Sequence, residues 1–355
     1  MKHLKSIMLA LLILAWPMSS VSAHELMTNV TIDEQVMEQL QANDSVELAT
    51  YPVTMDSARE RLEAAIQAHY KIVNKEEHQI ANGESGVIYS TQDKHQINVG
   101  FNPFMQSTSI IYSKLPISNL SNIATGALEY QSQHPDKNFS LSLTDEEVMD
   151  RIKQFIASYN LDIELENVQI HRLTKRSFQE HIAEYNQAEE NKEDPVKLPD
   201  GYEFQDLYYV TATRAIKGIH FLSNEEIIGN PDAGNYVLGE SYRFIFNQEE
   251  MLDSYILSHF QLQDSEGSLT FKPAKIIDLI KDKFADQIVT NPIHIDKISL
   301  GYAPIVTEAE PHSRKMRIEP VWIVHMRVTE SEQNDTELFD MNLYFSPQTE
   351  KELLR

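Results

Sequence analysis

One pattern constrains the fold of this chain more than any other. An apolar residue is followed by a polar one, then by apolar residues at every fourth position, and this occurs three times. Val53-Thr54 leads to Ala58, Leu62 and Ile66; Leu143-Thr144 leads to Val148, Ile152 and Ile156; Phe271-Lys272 leads to Ile276, Ile280 and Phe284. That spacing lays an apolar stripe along one helix face, which must be covered by something else in the fold. Thr144 followed by Glu147 fits a capping box, and Pro273 stands where a first helical turn tolerates proline.

The segments after each stripe alternate as strands do. After the second helix come Ile163 to Leu173, then Tyr208 to Arg214, Tyr242 to Asn247 and Met251 to Gln261. After the third come Ile293 to Ile305, Val321 to Arg327 and Met341 to Ser346, with Leu353-Leu354 closing the chain. The order helix, strand, strand, strand therefore occurs twice, and both second strands reach an arginine at the same step, Arg214 and Arg327. Ser85 to Tyr89, Gln96 to Phe101 and Ser109 to Leu115 read as strands of a third, divergent copy. The polar, acidic stretch 186–200 with Pro195 and Pro199 reads as an insertion between strands. The expected fold class is α+β, with two or three modules, each a helix packed on an antiparallel β-sheet.

The boundaries rest on this pattern. Residues 1–23 read as a signal peptide: Lys2 and Lys5, an apolar run from Ile7 to Trp16, then Val21-Ser22-Ala23 before the cut. The run is too short for a membrane span. Residues 24–51 read as a polar N-terminal arm, 52–139 as a divergent α+β module, 140–267 as one module and 268–355 as a second. The chain has no cysteine, so it offers no lipid anchor after the leader and no thiol chemistry. A secreted or extracytoplasmic bacterial protein is expected. The five N-x-S/T triplets, at Asn29, Asn43, Asn119, Asn138 and Asn334, read as chance in a chain rich in those residues.

Composition excludes some functions. There are 54 Asp and Glu against 30 Lys and Arg, a formal charge of −24. Such an excess repels phosphate backbones and anionic lipid, so no nucleic acid is expected as partner. Only 11 glycines occur, and no Gly-rich phosphate loop, H-E-x-x-H, G-x-S-x-G or EF-hand loop is found. No catalytic, cofactor-binding or metal-ligating residue is assigned, and no cofactor.

The remaining candidates have plain structural readings beside the functional ones. His294-Ile295-Asp296 sets two potential ligands on one strand face, without a third. His171, His181 and His325 read as half-buried histidines. Glu76-Glu77, Glu189-Glu190, Glu225-Glu226 and Glu249-Glu250 read as solvated charge, and Asn224 to Asp232 with Gly229 as a weak calcium loop. Trp322 and the tyrosines at 208, 209, 236 and 242 read as core, or as the lining of a cleft.

The Leu143-Thr144 helix start, Glu319-Pro320-Val321-Trp322 entering a strand, and the Phe246-Asn247 strand end resemble PepSY-like modules. They also resemble the extracytoplasmic regulators and uncharacterised secreted proteins of Gram-positive bacteria built from such modules. The resemblance covers roughly 140–355 and loosely 52–139. It implies regulation by protein–protein contact outside the membrane, often inhibitory, and no catalysis. One departure matters: the kinase regulators of this kind keep a membrane helix, whereas this chain is expected to be cut free. The reading is thus an exported non-enzymatic regulatory or binding protein of the cell envelope, whose partner is another exported or membrane protein. Two alternatives stay open: an envelope protein binding a small molecule or metal in a cleft, and a hydrolase with a dispersed carboxylate site.

Overall fold

The computed structural model describes residues 22–42, 44–55, 58–79, 84–114, 120–188, 195–198, 202–223, 226–230, 235–310, 313–332 and 335–353. The leader reading falls on residues 1–23, of which 1–21 lie outside this set. Each apolar stripe forms a helix, at Ala58–His69, Asp145–Ser158 and Lys275–Ala285. The capping box is present: Glu147 N donates to Thr144 Oγ1 at 3.2 Å and Thr144 N to Glu147 Oε2 at 2.8 Å.

A run of four antiparallel strands comes after each helix. The first run is Ile72–Gln79, Ser85–Thr91, Gln96–Asn102 and Ser107–Ser113. The second is Glu164–Leu173, Leu207–Ile216, Ser241–Phe246 and Met251–His259. The third is Ile293–Glu310, Ser313–Glu332, Asp335–Ser346 and the short Lys351–Glu352.

The expectation of modules, each with its own small sheet, is overturned. The runs merge into one mixed sheet of 17 strands, with a separate hairpin at Ile227–Asn230 and Asn235–Leu238. An open four-stranded sheet ends in rows of unpaired N–H and C=O groups, and here the runs satisfy one another. Met251–His259 pairs antiparallel with Ser107–Ser113, joining the first two runs into eight strands. Ile219–Phe221 pairs parallel with the third run at Phe221 and Tyr302.

Residues 24–51 are built into the sheet as well. Strands Ala23–Met27 and Val30–Asp33 form a hairpin, and the second runs parallel to the start of Ile293–Glu310. Val46–Pro52 pairs with Gly267–Phe271 and touches Arg317 and Ile318. Val30 and Ile32 are fully buried. The segment looks polar in sequence because its apolar residues alternate, and only strand pairing gathers them on one side.

The hairpin of Ile293–Glu310 and Ser313–Glu332 is the longest feature, 18 and 20 residues, or about 60 Å at the usual strand rise. Its two ends serve different partners. The second strand pairs with Tyr51 and Pro52 at Ile318 and Arg317, then with Asp335–Ser346 from Trp322 onward. Pro320 stands in the interval between those partners, a position in a central strand where a missing N–H is tolerated.

Helices cover both faces of the eight-stranded region. Leu62, Ile66, Val148 and Ile152 pack on one face with Val210 and Phe244. Helices Leu120–Gln133 and Lys175–Gln187 cover the other through Ile123, Phe178 and Ile182, against Tyr209 and Ile245. Neighbours along Leu207–Val210 thus go to opposite cores, which is why that strand reads as an unbroken apolar run. The third helix packs Ile276, Ile280 and Phe284 on Trp322, Val324 and Phe345. Among the described residues no helix is long and apolar enough to cross a membrane.

The seam between the first two runs holds a buried acid. Asp253 is 1 % exposed, its Oδ1 has no partner among the described residues, and its Oδ2 meets Ser113 Oγ only at 3.5 Å. Burial pushes its carboxyl up to about 8, against the ordinary 3.8. A group raised in the fold contributes stability below its unfolded pKa, and that contribution is lost as pH rises through its folded pKa. Asp253→Asn is therefore expected to remove a decline of stability between about pH 4 and 8, of at most about 1.4 kcal/mol per pH unit. Denaturant midpoints of both proteins at pH 5, 7 and 9 check this.

Candidate functional site

Most sequence candidates are absorbed by the structure. A bulge between Ile295 and Lys297 falls at Asp296. His294 Nε2 contacts Asp33 at 3.0 Å, while Asp296 takes His325 at 2.5 Å and Arg327 at 2.8 Å. The two expected ligands therefore belong to separate ion pairs. His181 packs against helix Leu120–Gln133, where its Nε2 fills the space a side chain at Gly126 would need. Burial lowers the pKa of both His171 and His181. Tyr208 and Tyr242 lie in the first core and Trp322 in the third, edge-to-face with Phe271 at 5.5 Å. Tyr209 and Tyr242 both line one cleft, which Tyr208 and Trp322 do not reach.

The acidic pairs also take partners. Glu77 meets Arg59 and Lys75, and Glu250 meets Lys114. Glu189, Glu190 and much of the calcium-loop candidate lie outside the described residues. Among the described residues no three His, Asp or Glu converge as a metal-holding group.

Two polar clefts share one residue on one sheet face. The larger, about 730 Å³, lies beside helix Leu120–Gln133 and is lined by Gln169, His171, Thr211, Thr213 and Arg243. The smaller, about 240 Å³, lies where the second and third runs meet and is lined by Glu166, His220, Glu226, Lys297 and His325. Asn167 lines both. It sits in a bulge between Glu166 and Gln169 with φ 49°, a backbone setting that non-glycine residues rarely adopt and that concentrates at functional positions. Its Nδ2 donates to Thr213 Oγ1 at 3.3 Å. Cross-strand pairs put these residues on one face: Glu166 opposes Thr213, Gln169 opposes Thr211, and His220 opposes Ala215.

In the smaller cleft His220 is clamped between two carboxylates. Its Nε2 lies 3.1 Å from Glu226 and its Nδ1 3.6 Å from Glu166. Glu226 also accepts from Ser223 N at 2.7 Å and from Tyr344 OH at 3.3 Å, which ties the second run to the third. Burial disfavours the imidazolium, but the two carboxylates outweigh it and raise the His220 pKa to about 9. A histidine charged at neutral pH cannot act as a general base there.

Beneath the clefts lies a buried charge network. Arg214 Nη1 donates to Glu240 Oε1 at 2.7 Å and to Phe260 O at 2.9 Å. Phe260 N donates to Glu240 Oε1 at 2.8 Å, Tyr242 OH donates to Oε2, and His259 Nδ1 lies 3.6 Å away. Burial alone would raise the Glu240 pKa; Arg214 and His259 reverse this and hold it at about 2. Gly239 makes the approach possible, since a Cβ there would meet Leu222 O at 1.7 Å.

Sequence reasoning missed His220, Asn167, Arg243 and Glu240. Glu226 appeared only as half of an acidic pair and Arg214 only as a register marker. Gly218 before Ile219-His220-Phe221 signals the turn that positions His220, at φ 74°. Nothing local announces that Glu166, far upstream in the chain, will face it.

Both charge clusters can be probed by substitution. Arg214→Met takes the guanidinium from a fully buried carboxylate and is expected to cost on the order of 3–5 kcal/mol, whereas Arg214→Met with Glu240→Leu recovers much of it; urea unfolding of the three proteins checks this. His220 is raised in the fold, so its contribution is complete below about pH 6.5 and fades as pH rises through about 9. His220→Gln is expected to flatten the fall in melting temperature between pH 7 and 9.5.

No family model matches the chain, and no curated protein does. Among solved structures it is similar to the crystal structure of an uncharacterized protein from Eubacterium rectale ATCC 33656, determined at 1.45 Å. The TM-score is 0.54 at 12 % identity, over 94 % of this chain and 93 % of that one. At that identity the likeness shows the fold alone, spanning nearly the whole of both chains.

Proposed function

We propose that this chain is an exported, non-enzymatic binding or regulatory protein of the cell envelope, and that the paired polar clefts are its recognition surface. The observation that carries the reading is the bulged Asn167 at the meeting point of the two clefts. The bulge gives Asn167 a left-handed backbone, which asparagine adopts more readily than most residues, and so presents its amide where the two clefts join.

The state of the titratable groups supports binding over catalysis. His220 is held as a cation, and Glu226 spends its oxygens on His220, Ser223 and Tyr344. These groups act as a brace. Two edges that are unpaired among the described residues argue against strand addition there as the binding mode. Ile72–Gln79 carries Lys75, Glu76, Glu77 and His78 on an exposed edge, and Glu164–Leu173 is bulged; both devices discourage pairing with another chain. The leader and the PepSY-like features support an extracytoplasmic, regulatory setting, with another exported or membrane protein as partner.

The test has two parts. Cell fractionation with N-terminal sequencing is expected to find the chain outside the cytoplasm, beginning at His24. A photo-crosslinking residue placed at Asn167 is expected to capture one dominant species that the same residue at Glu60, on an outer helix face, does not. A chain retained in the cytoplasm, or identical capture at both positions, would sink the reading.

A further inference from the structure

The larger cleft runs against the charge of the chain. With 54 acids in 355 residues, its lining holds one carboxylate, Glu240, which is fully buried and neutralised by Arg214. The cation in the lining is Arg243. It is half-buried and makes no ion pair among the described residues. An arginine without a carboxylate partner, in a protein with carboxylates to spare, leaves its guanidinium open to an anion supplied from elsewhere.

Its surroundings narrow the chemistry. Gln169, Thr211 and Arg243 stand in one cross-strand row, with Asn122 from helix Leu120–Gln133 above them. The side chains of Asn122, Gln169 and Thr211 make no hydrogen bonds among the described residues. Thr125 and Thr213, by contrast, are already engaged with Tyr209 and Asn167. The open groups are amides and a hydroxyl, which both donate and accept, as ligand hydroxyls do. A guanidinium among them suits a carboxylate or phosphate, which it can grip with two parallel bonds. A cavity of about 730 Å³ accommodates several linked units.

We propose that the larger cleft binds a hydroxyl-rich chain bearing an anionic group, with Arg243 holding the anion and Asn122, Gln169 and Thr211 reading the hydroxyls. This rests on the recognition surface proposed above and names its ligand class. A carboxylated oligosaccharide and a polyol phosphate share this chemistry.

Isothermal titration of the chain beginning at His24 separates them, using a glucuronate-containing tetrasaccharide, a glycerol-phosphate oligomer, and an uncharged tetrasaccharide. One charged probe is expected to bind at least about tenfold more tightly than the uncharged one, as loss of a charge-assisted bidentate contact implies. Arg243→Gln is expected to remove that advantage, Arg243→Lys to restore part of it, and Lys153→Gln on an outer helix face to change nothing. Gln169→Ala, which leaves the cation in place, is expected to weaken the charged probe as well. Circular dichroism and urea midpoints confirm that each variant is folded. No binding by either charged probe at millimolar concentration overturns the proposal, as does equal binding of the uncharged one or indifference to Arg243→Gln. If titration fails while the crosslink at Asn167 still captures one species, the ligand class is wrong and the recognition surface stands.

Discussion

Edge pairing holds this protein together. Each run of four strands would leave two open edges if it folded alone; two joints each close one edge of neighbouring runs, and the second of them forms the smaller cleft. Met251–His259 pairs with Ser107–Ser113, and Phe221 meets Tyr302. The second joint is short, and it is reinforced through side chains: Glu226 ties His220 to Tyr344, and Leu222 N donates to Tyr302 O at 2.9 Å. The long hairpin completes the frame because each of its ends has a separate set of neighbours. Strands this long twist considerably, and its bulges at Asp296 and Thr307 absorb part of the register strain.

Charge is used differently at the surface and at the joints. Exposed pairs such as Arg176 with Glu180 contribute little. The Arg214–Glu240 pair is another matter, because both partners are out of water and three further groups complete the coordination of the carboxylate. Such a cluster contributes less to net stability than to fixing one arrangement, since any shift strands a charge. Here it fixes Leu207–Ile216 against the 239–242 segment, and these carry Thr211, Thr213 and Arg243's neighbours into the clefts. In a chain of net charge −24, Arg243, which has no ion pair among the described residues, is the exception in its surroundings.

Much of the local architecture is legible in the sequence. The every-fourth-residue stripes ending at Ile66, Ile156 and Phe284 form helices, and the Thr144–Glu147 cap is present with both of its bonds. The alternating segments of the first two runs form strands within a few residues of their expected limits, whereas those of the third run extend well beyond them, Val321 to Arg327 lying inside a strand that spans Ser313–Glu332. Residues 24–51 read as an arm because Val30, Ile32, Val46 and Leu48 are too sparse to stand out before the partner strands bury them. The clefts are illegible for a similar reason. His220 and Glu166 are ordinary residues on separate strands, and only register sets them 3.6 Å apart.

By itself, then, the sequence determined the three striped helices and the alternating strands that come after them, because periodicity and capping depend on neighbours within a few positions of one another; helix Leu120–Gln133 and the strands at Ile72–Gln79 and Gly267–Phe271 carry no such signal. It also determined the acidic character of the chain and the absence of thiol chemistry. How the runs join was left to tertiary structure, since hydrogen bonding along an edge strand depends on backbone groups that every sequence shares. So was the setting of Asn167, His220 and Arg243, because a cleft is made by the distances between segments remote in the chain, and those exist only once the sheet has formed.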